Sequence, residues 1–127
     1  MIVLACLIVA CHNSPIKPVS KSEIMKVSLD YLVDNYRSLD GQKVETEGIL
    51  GWNFENTSIC PRRIFFSEKG MNCFWLDFDR NFQLNDSVMR NGSGKIFVLR
   101  GVVDTSHKGH MGSYLATIKD IDFVKPK

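Results

Sequence analysis

Apolar and polar positions follow three different rhythms along this chain, and each predicts a different kind of element. Residues 1–10 (MIVLACLIVA) are continuously apolar and give way to Cys11 and polar His12, Asn13 and Ser14. Met25, Leu29, Leu32 and Tyr36 then recur at spacings of four, three and four, the pattern of one helix face. Ser20 with Glu23 three residues on matches a capping box. Asp40-Gly41 supplies a stop and a turn. One helix over residues 21–37 is expected. Beyond residue 42 the period falls to two or to short aromatic runs, which predicts strands over 43–52, 63–67, 72–78, 95–104 and 113–124. Residues 68–71 read as the loop of a hairpin between the second and third strands. Gly48 and Gly101 inside strands predict a bulge or a sharp coil of the sheet. The linker 79–94, rich in Asn, Asp, Ser and Gly, reads as a long loop with room for a short helical turn.

These elements predict a mostly β fold, an N-terminal helix followed by a five-stranded OB-like small β-barrel. At 127 residues the chain is one domain on length alone. Sixteen Lys and Arg against 14 Asp and Glu leave a formal charge of +2, too near neutral for a protein built around a phosphate backbone. A nucleic-acid partner is therefore not expected.

The apolar opening is too short to cross a bilayer, which takes about 20 residues, but has the length of a signal-peptide hydrophobic region. Ile8-Val9-Ala10-Cys11 resembles the bacterial lipobox: an aliphatic residue, a tolerant position, a small residue and the cysteine. That resemblance implies a signal peptide over 1–10 and acylation of Cys11 as the first mature residue. It further implies a tether over 11–20 and a domain over 21–127, held at the bilayer by its acylated N-terminus. The implied location is a bacterial cell-envelope membrane facing the periplasm, with inner and outer membrane both open. The tether carries two prolines and no apolar periodicity. The alternative for the same ten residues is a buried N-terminal strand.

A second resemblance rests on residues 39–48 (LDGQKVETEG). It extends to Cys60-Pro61, Phe74-Trp75-Leu76, Gly101, residues 109–114 and Ile118 to Ile121. Together these are similar to the opening strand and closing hairpin of small bacterial envelope proteins with OB-like domains. The resemblance implies a fold and a location, and it carries over no catalytic residue and no cofactor.

Four sets of residues carry candidate chemistry. Cys60 and Cys73 remain once Cys6 is removed and Cys11 acylated. An oxidising compartment would pair them, and the alternative is two buried thiols. Trp52 and Trp75, with Arg63, are candidates for a ligand groove across the barrel strands, since OB barrels bind oligomers on exposed aromatics. His107, His110 and Met111 offer two imidazoles and a thioether, which suit copper or zinc. Asp77 and Asp79 alternate along one strand face, as paired carboxylates for metal or acid–base work do. No nucleophile elbow or phosphate-cradling glycine loop accompanies them. The sequence therefore reads first as a non-enzymatic binding or assembly module meeting an envelope protein or glycan, and second as a metal-handling protein using the His107–His110–Met111 loop.

Overall fold

The computed structural model describes residues 22–67 and 70–127. The expected signal peptide over 1–10, Cys11, the expected tether over 11–20 and Ser20 lie outside the described residues. So do Glu68 and Lys69 of the expected hairpin loop.

The elements in chain order are β1 (Met25–Lys26), α1 (Leu29–Asn35), β2 (Lys43–Asn53), β3 (Asn56–Cys60), β4 (Phe66–Ser67), β5 (Gly70–Phe78), α2 (Asp86–Gly92), β6 (Ile96–Asp104) and β7 (Tyr114–Pro126). Strands β2, β3, β5, β7 and β6 pair in that order, and β6 pairs back to β2 to close a five-stranded barrel. All these pairings are antiparallel except β5 with β7. That is the strand order of an OB barrel, with α2 between its third and fourth strands. No helix among the described residues is long and apolar enough to cross a membrane.

Closure depends on β2 serving two neighbours. Its residues 43–49 pair with β6, and its residues 49–53 pair with β3. The strand must therefore coil between the two partners, and it does so beside Gly48. A Cβ there would sit 2.6 Å from Leu29 Cδ2 and 2.9 Å from the Cys60 carbonyl, so only glycine admits the α1 side chain this close. The register runs unbroken across Gly48, which makes the residue a point of close approach and not the bulge its position suggested. The irregularity lies on β7 opposite Gly101, where Asp120 adopts φ 51°.

Inside the barrel Val44, Leu50, Ile59, Phe74, Phe97, Leu99, Val103 and Ile118 are buried, each large side chain contributing about 1.5–3 kcal/mol. Leu29, Leu32 and Tyr36 of the expected helical face are buried against them. The helix itself is shorter than residues 21–37. Ser28, not Ser20, is its N-cap, its hydroxyl accepting from the Tyr31 N–H at 3.1 Å. Residues 25–27 are drawn out of the helix because they pair in parallel with β2 at Val44 and Glu45. At the opposite end Asn85 caps α2, and Met89 plugs the barrel core.

The second barrel strand is Asn56–Cys60, not residues 63–67, of which only Phe66 and Ser67 join a ladder, against β5. A tight turn at Phe54-Glu55 leads into it, where Asn53 Oδ1 accepts the Glu55 N–H at 3.1 Å and does the work a glycine would otherwise do. The β3–β5 register, Ser58↔Trp75 and Ile59↔Phe74, makes Cys60 and Cys73 the next opposed pair. They form a disulfide, with Cα atoms 4.5 Å apart. On the outer wall Arg100 donates to Glu45 at 2.7 Å and lies 4.3 Å from the Phe123 ring centroid.

Two expectations follow. Replacing both Cys60 and Cys73 by Ser is expected to destabilise the domain by roughly 3 kcal/mol in the chain-entropy account. The check is a urea midpoint, and a midpoint equal to that of the oxidised parent would contradict it. The hydrogen bond from Arg100, with the nearby Lys26 charge, holds the Glu45 carboxyl below its ordinary range despite partial burial. A lowered folded pKa gives stability that is present above the unfolded value, near pH 4, and is lost as pH falls through the folded one. Glu45→Gln should therefore lose stability at neutral pH and show a shallower fall on acidification than the parent. Parallel acid limbs would count against that assignment.

Candidate ligand-binding face

The barrel interior is filled, so candidate surfaces lie on its outer wall. On the outward side of β3 and β5, Trp75 stands across from Ser58. The Tyr114 ring meets the Trp75 ring edge-on, centroids 5.2 Å apart. The Tyr114 hydroxyl donates to Asn56 Oδ1 at 3.0 Å, and the Ser58 hydroxyl donates to the same oxygen. Burial pushes the Tyr114 pKa up, so the phenol stays a donor at neutral pH. Cys60 and Cys73 complete this cluster, which is separate from the main core.

The loop between β6 and β7 folds over this wall. Asp104 accepts from the backbone and hydroxyl of Ser106 and lies 3.7 Å from Lys119 Nζ. Burial opposes ionisation of Asp104, but the Ser106 hydrogen bonds and the Lys119 charge outweigh it and lower the pKa. At the far end the Thr117 hydroxyl donates to the His107 carbonyl at 2.9 Å, and the Tyr114 N–H to the Lys108 carbonyl at 3.0 Å. Pinned at both ends, the loop passes Trp75 at Gly109, whose φ is 67° and whose backbone leaves no room for a Cβ against the indole. His110 then stacks on Trp75, centroids 6.4 Å apart at an interplanar angle of 28°. Met111 is 85% exposed beside it. Phe54, 99% exposed, tips the β2–β3 turn two residues from Asn56.

The expected groove residues do not converge. Trp52 packs on the main core, edge-on to Phe78 at 5.9 Å, and its indole N–H donates to Asp86 at 3.3 Å. It ties α2 to the barrel end, while Trp75 belongs to the outer cluster. Arg63 lies elsewhere again, beside a groove of about 970 Å³ between α1 and the outer side of β2 and β6. Arg62, Phe65, Asp30 and Asp34 also border that groove. Of the expected metal residues, His107 is exposed and contributes its carbonyl to Thr117, and His110 lies over Trp75. Among the described residues no three His, Cys, Asp or Glu side chains group to hold a metal ion. Asp77 is exposed, and Asp79 caps the following turn by accepting the Asn81 N–H at 2.8 Å.

Sequence reasoning missed Tyr114 and Asn56 as residues of this face. The Trp75–His110 stack had one usable signal, the Gly109-His110 pair, but nothing in the sequence gives its partner. No protein family, curated protein or solved structure matches the chain.

Proposed function

We propose that this protein is a non-enzymatic binding module of the bacterial cell envelope, acylated at Cys11, tethered by residues 11–20 and presenting the outer β3–β5 wall to a glycan or peptide. The observation that carries the reading is the Trp75–His110 stack on that wall, with Met111 next in sequence exposed and Phe54 exposed at the tip of the β2–β3 turn. Stacked rings give apolar, flat contact area, and the half-buried Asn56 amide lies on the same wall, its oxygen held from beneath by the buried Ser58 and Tyr114 hydroxyls. The wall is shallow, which suits one side of an extended chain better than enclosure of a small substrate.

Two further observations support the reading. The disulfide between Cys60 and Cys73 is the kind of bond that persists in oxidising compartments such as the periplasm. The two carboxylates with lowered pKa values, Glu45 and Asp104, are each engaged by structural partners, Arg100 and Ser106.

Location and binding are tested separately. The intact mass of the protein extracted from its host's membranes should match residues 11–127 plus acyl chains, less two hydrogens for the disulfide. An uncut, unacylated chain in the soluble fraction would overturn the anchor. For binding, Trp52→Phe leaves Trp75 as the single tryptophan, because the chain has two. Soluble peptidoglycan fragments and envelope peptides should then change its fluorescence saturably. His110→Ala should weaken binding on the order of tenfold, with the urea midpoint unchanged. Ligand-independent fluorescence across both panels would count against this face.

A further inference from the structure

The chain leaves β3 at Cys60 and does not rejoin a ladder until Phe66. Between them Arg62 and Arg63 are exposed, and Ile64, Phe65 and Phe66 are 51%, 58% and 81% exposed. Three consecutive large apolar side chains on the surface of a domain with a well-filled core call for a partner.

The segment is not a frayed loop. Asn72 on β5 grips it three times. Its Oδ1 accepts the Phe65 N–H at 2.6 Å, its Nδ2 donates to the Arg63 carbonyl at 2.8 Å, and its backbone N–H donates to the Phe65 carbonyl at 3.0 Å. The Cys60–Cys73 disulfide closes the base. The backbone is thus fixed while the side chains point away from the core, which lowers the ordering cost of any contact they make. Neither guanidinium forms an ion pair among the described residues, which is also true of Arg37, Arg80, Lys95, Lys108 and Lys125.

We propose that the 62–66 tip is a membrane-interface contact, with Arg62 and Arg63 on the phosphates of anionic phospholipids and Ile64, Phe65 and Phe66 at the boundary of headgroups and acyl chains. Two cations beside an apolar wedge are the complement of that boundary, which is negative at its surface and apolar just beneath. Arg62, Arg63 and Phe65 border the same groove as Asp30 and Asp34 of α1, so these carboxylates offset part of the attraction and the contact falls on the arginines together with the exposed Ile64 and Phe66. This inference rests on the lipoprotein reading for its geometry. A tether of about ten residues reaches at most ~35 Å, close to the diameter of a domain this size, and keeps the tip within range of the bilayer. At that effective concentration a contact too weak to recruit a free protein is populated.

The test uses residues 11–127, the mature chain of that reading, with Cys11→Ser so that it cannot be acylated and Phe66→Trp as a reporter. The signal is read as the difference from the same chain keeping Phe66, because Trp52 and Trp75 emit in both. Vesicles of phosphatidylethanolamine and phosphatidylglycerol doped with brominated lipid should quench and blue-shift the new indole. Pure phosphatidylcholine vesicles should do so far less, and added salt should reverse the effect. Arg62→Ser with Arg63→Ser should weaken partitioning by roughly thirtyfold. Phe66→Trp emission that stays unquenched on anionic vesicles would overturn the proposal and point to a protein partner for the tip. So would quenching indifferent to lipid charge and to the arginines. The anchor is judged independently by the mass of the native protein: an acylated chain whose tip stays dry sinks this inference alone.

Discussion

The whole fold hangs on one strand being shared. β2 gives its first half to β6 and its second half to β3, and only that double engagement turns a meander into a closed barrel with no free edge. The strand changes partner at Ile49, which pairs with both Ile96 and Cys60. Just before it, Gly48 leaves the gap through which Leu29 reaches the barrel wall. The position of α1 is thereby set by the same constraint that closes the sheet. The length of α1 is set by it too, since residues 25–27 are held extended along β2 and cannot be helical.

A second, smaller constraint sits where the β3–β5 ladder ends. Only Ser58 and Ile59 pair with β5, so the strands would splay immediately beyond them without the opposed Cys60 and Cys73. The bridge closes the ladder in register and also underlies two surface features. Trp75 and Tyr114 pack on one side of it, and the 61–72 excursion starts and ends at it. Asn72 then transmits that fixed base to the tip of the excursion.

Much of this was legible in the sequence, and the failures have specific causes. The helical face was readable because Leu29, Leu32 and Tyr36 keep a strict period, but the start of the helix was not, because strand pairing at Met25 overrode a good capping pattern. The strand count and barrel class survived the loss of one strand. Asn56–Cys60 shows no alternation because Ser58, Ile59 and Cys60 are all buried, one face by the core and the other by Tyr114 and Asn56. Its turn also carries no glycine or proline, since Asn53 substitutes for one. With that strand hidden, the aromatic run 63–67 passes for sheet although it is exposed and only Phe66 and Ser67 join a ladder. The two tryptophans look alike in sequence, yet Trp52 closes the barrel end and Trp75 faces outward. Parity along a strand separates such residues only when the strands and their neighbours are correctly assigned.

A closed barrel filled by Phe74, Phe97, Leu99 and Ile118 has no interior to lend to a ligand, so the proposed recognition would fall on its wall and in its loops. Such contacts are shallow, and shallow contacts are individually weak because little water is excluded and few groups converge. A tether changes that balance. The proposed tether would remove most of the translational cost for any surface that meets the membrane or an envelope polymer near it, so the two proposed surfaces on one small domain would reinforce each other without either being tight. The outer wall at Trp75 and the tip at Phe66 both depend on the Cys60–Cys73 bridge. Their arrangement is therefore best ordered in the compartment where that bridge is stable, which makes the location of the protein and the geometry of its surfaces parts of one physical argument.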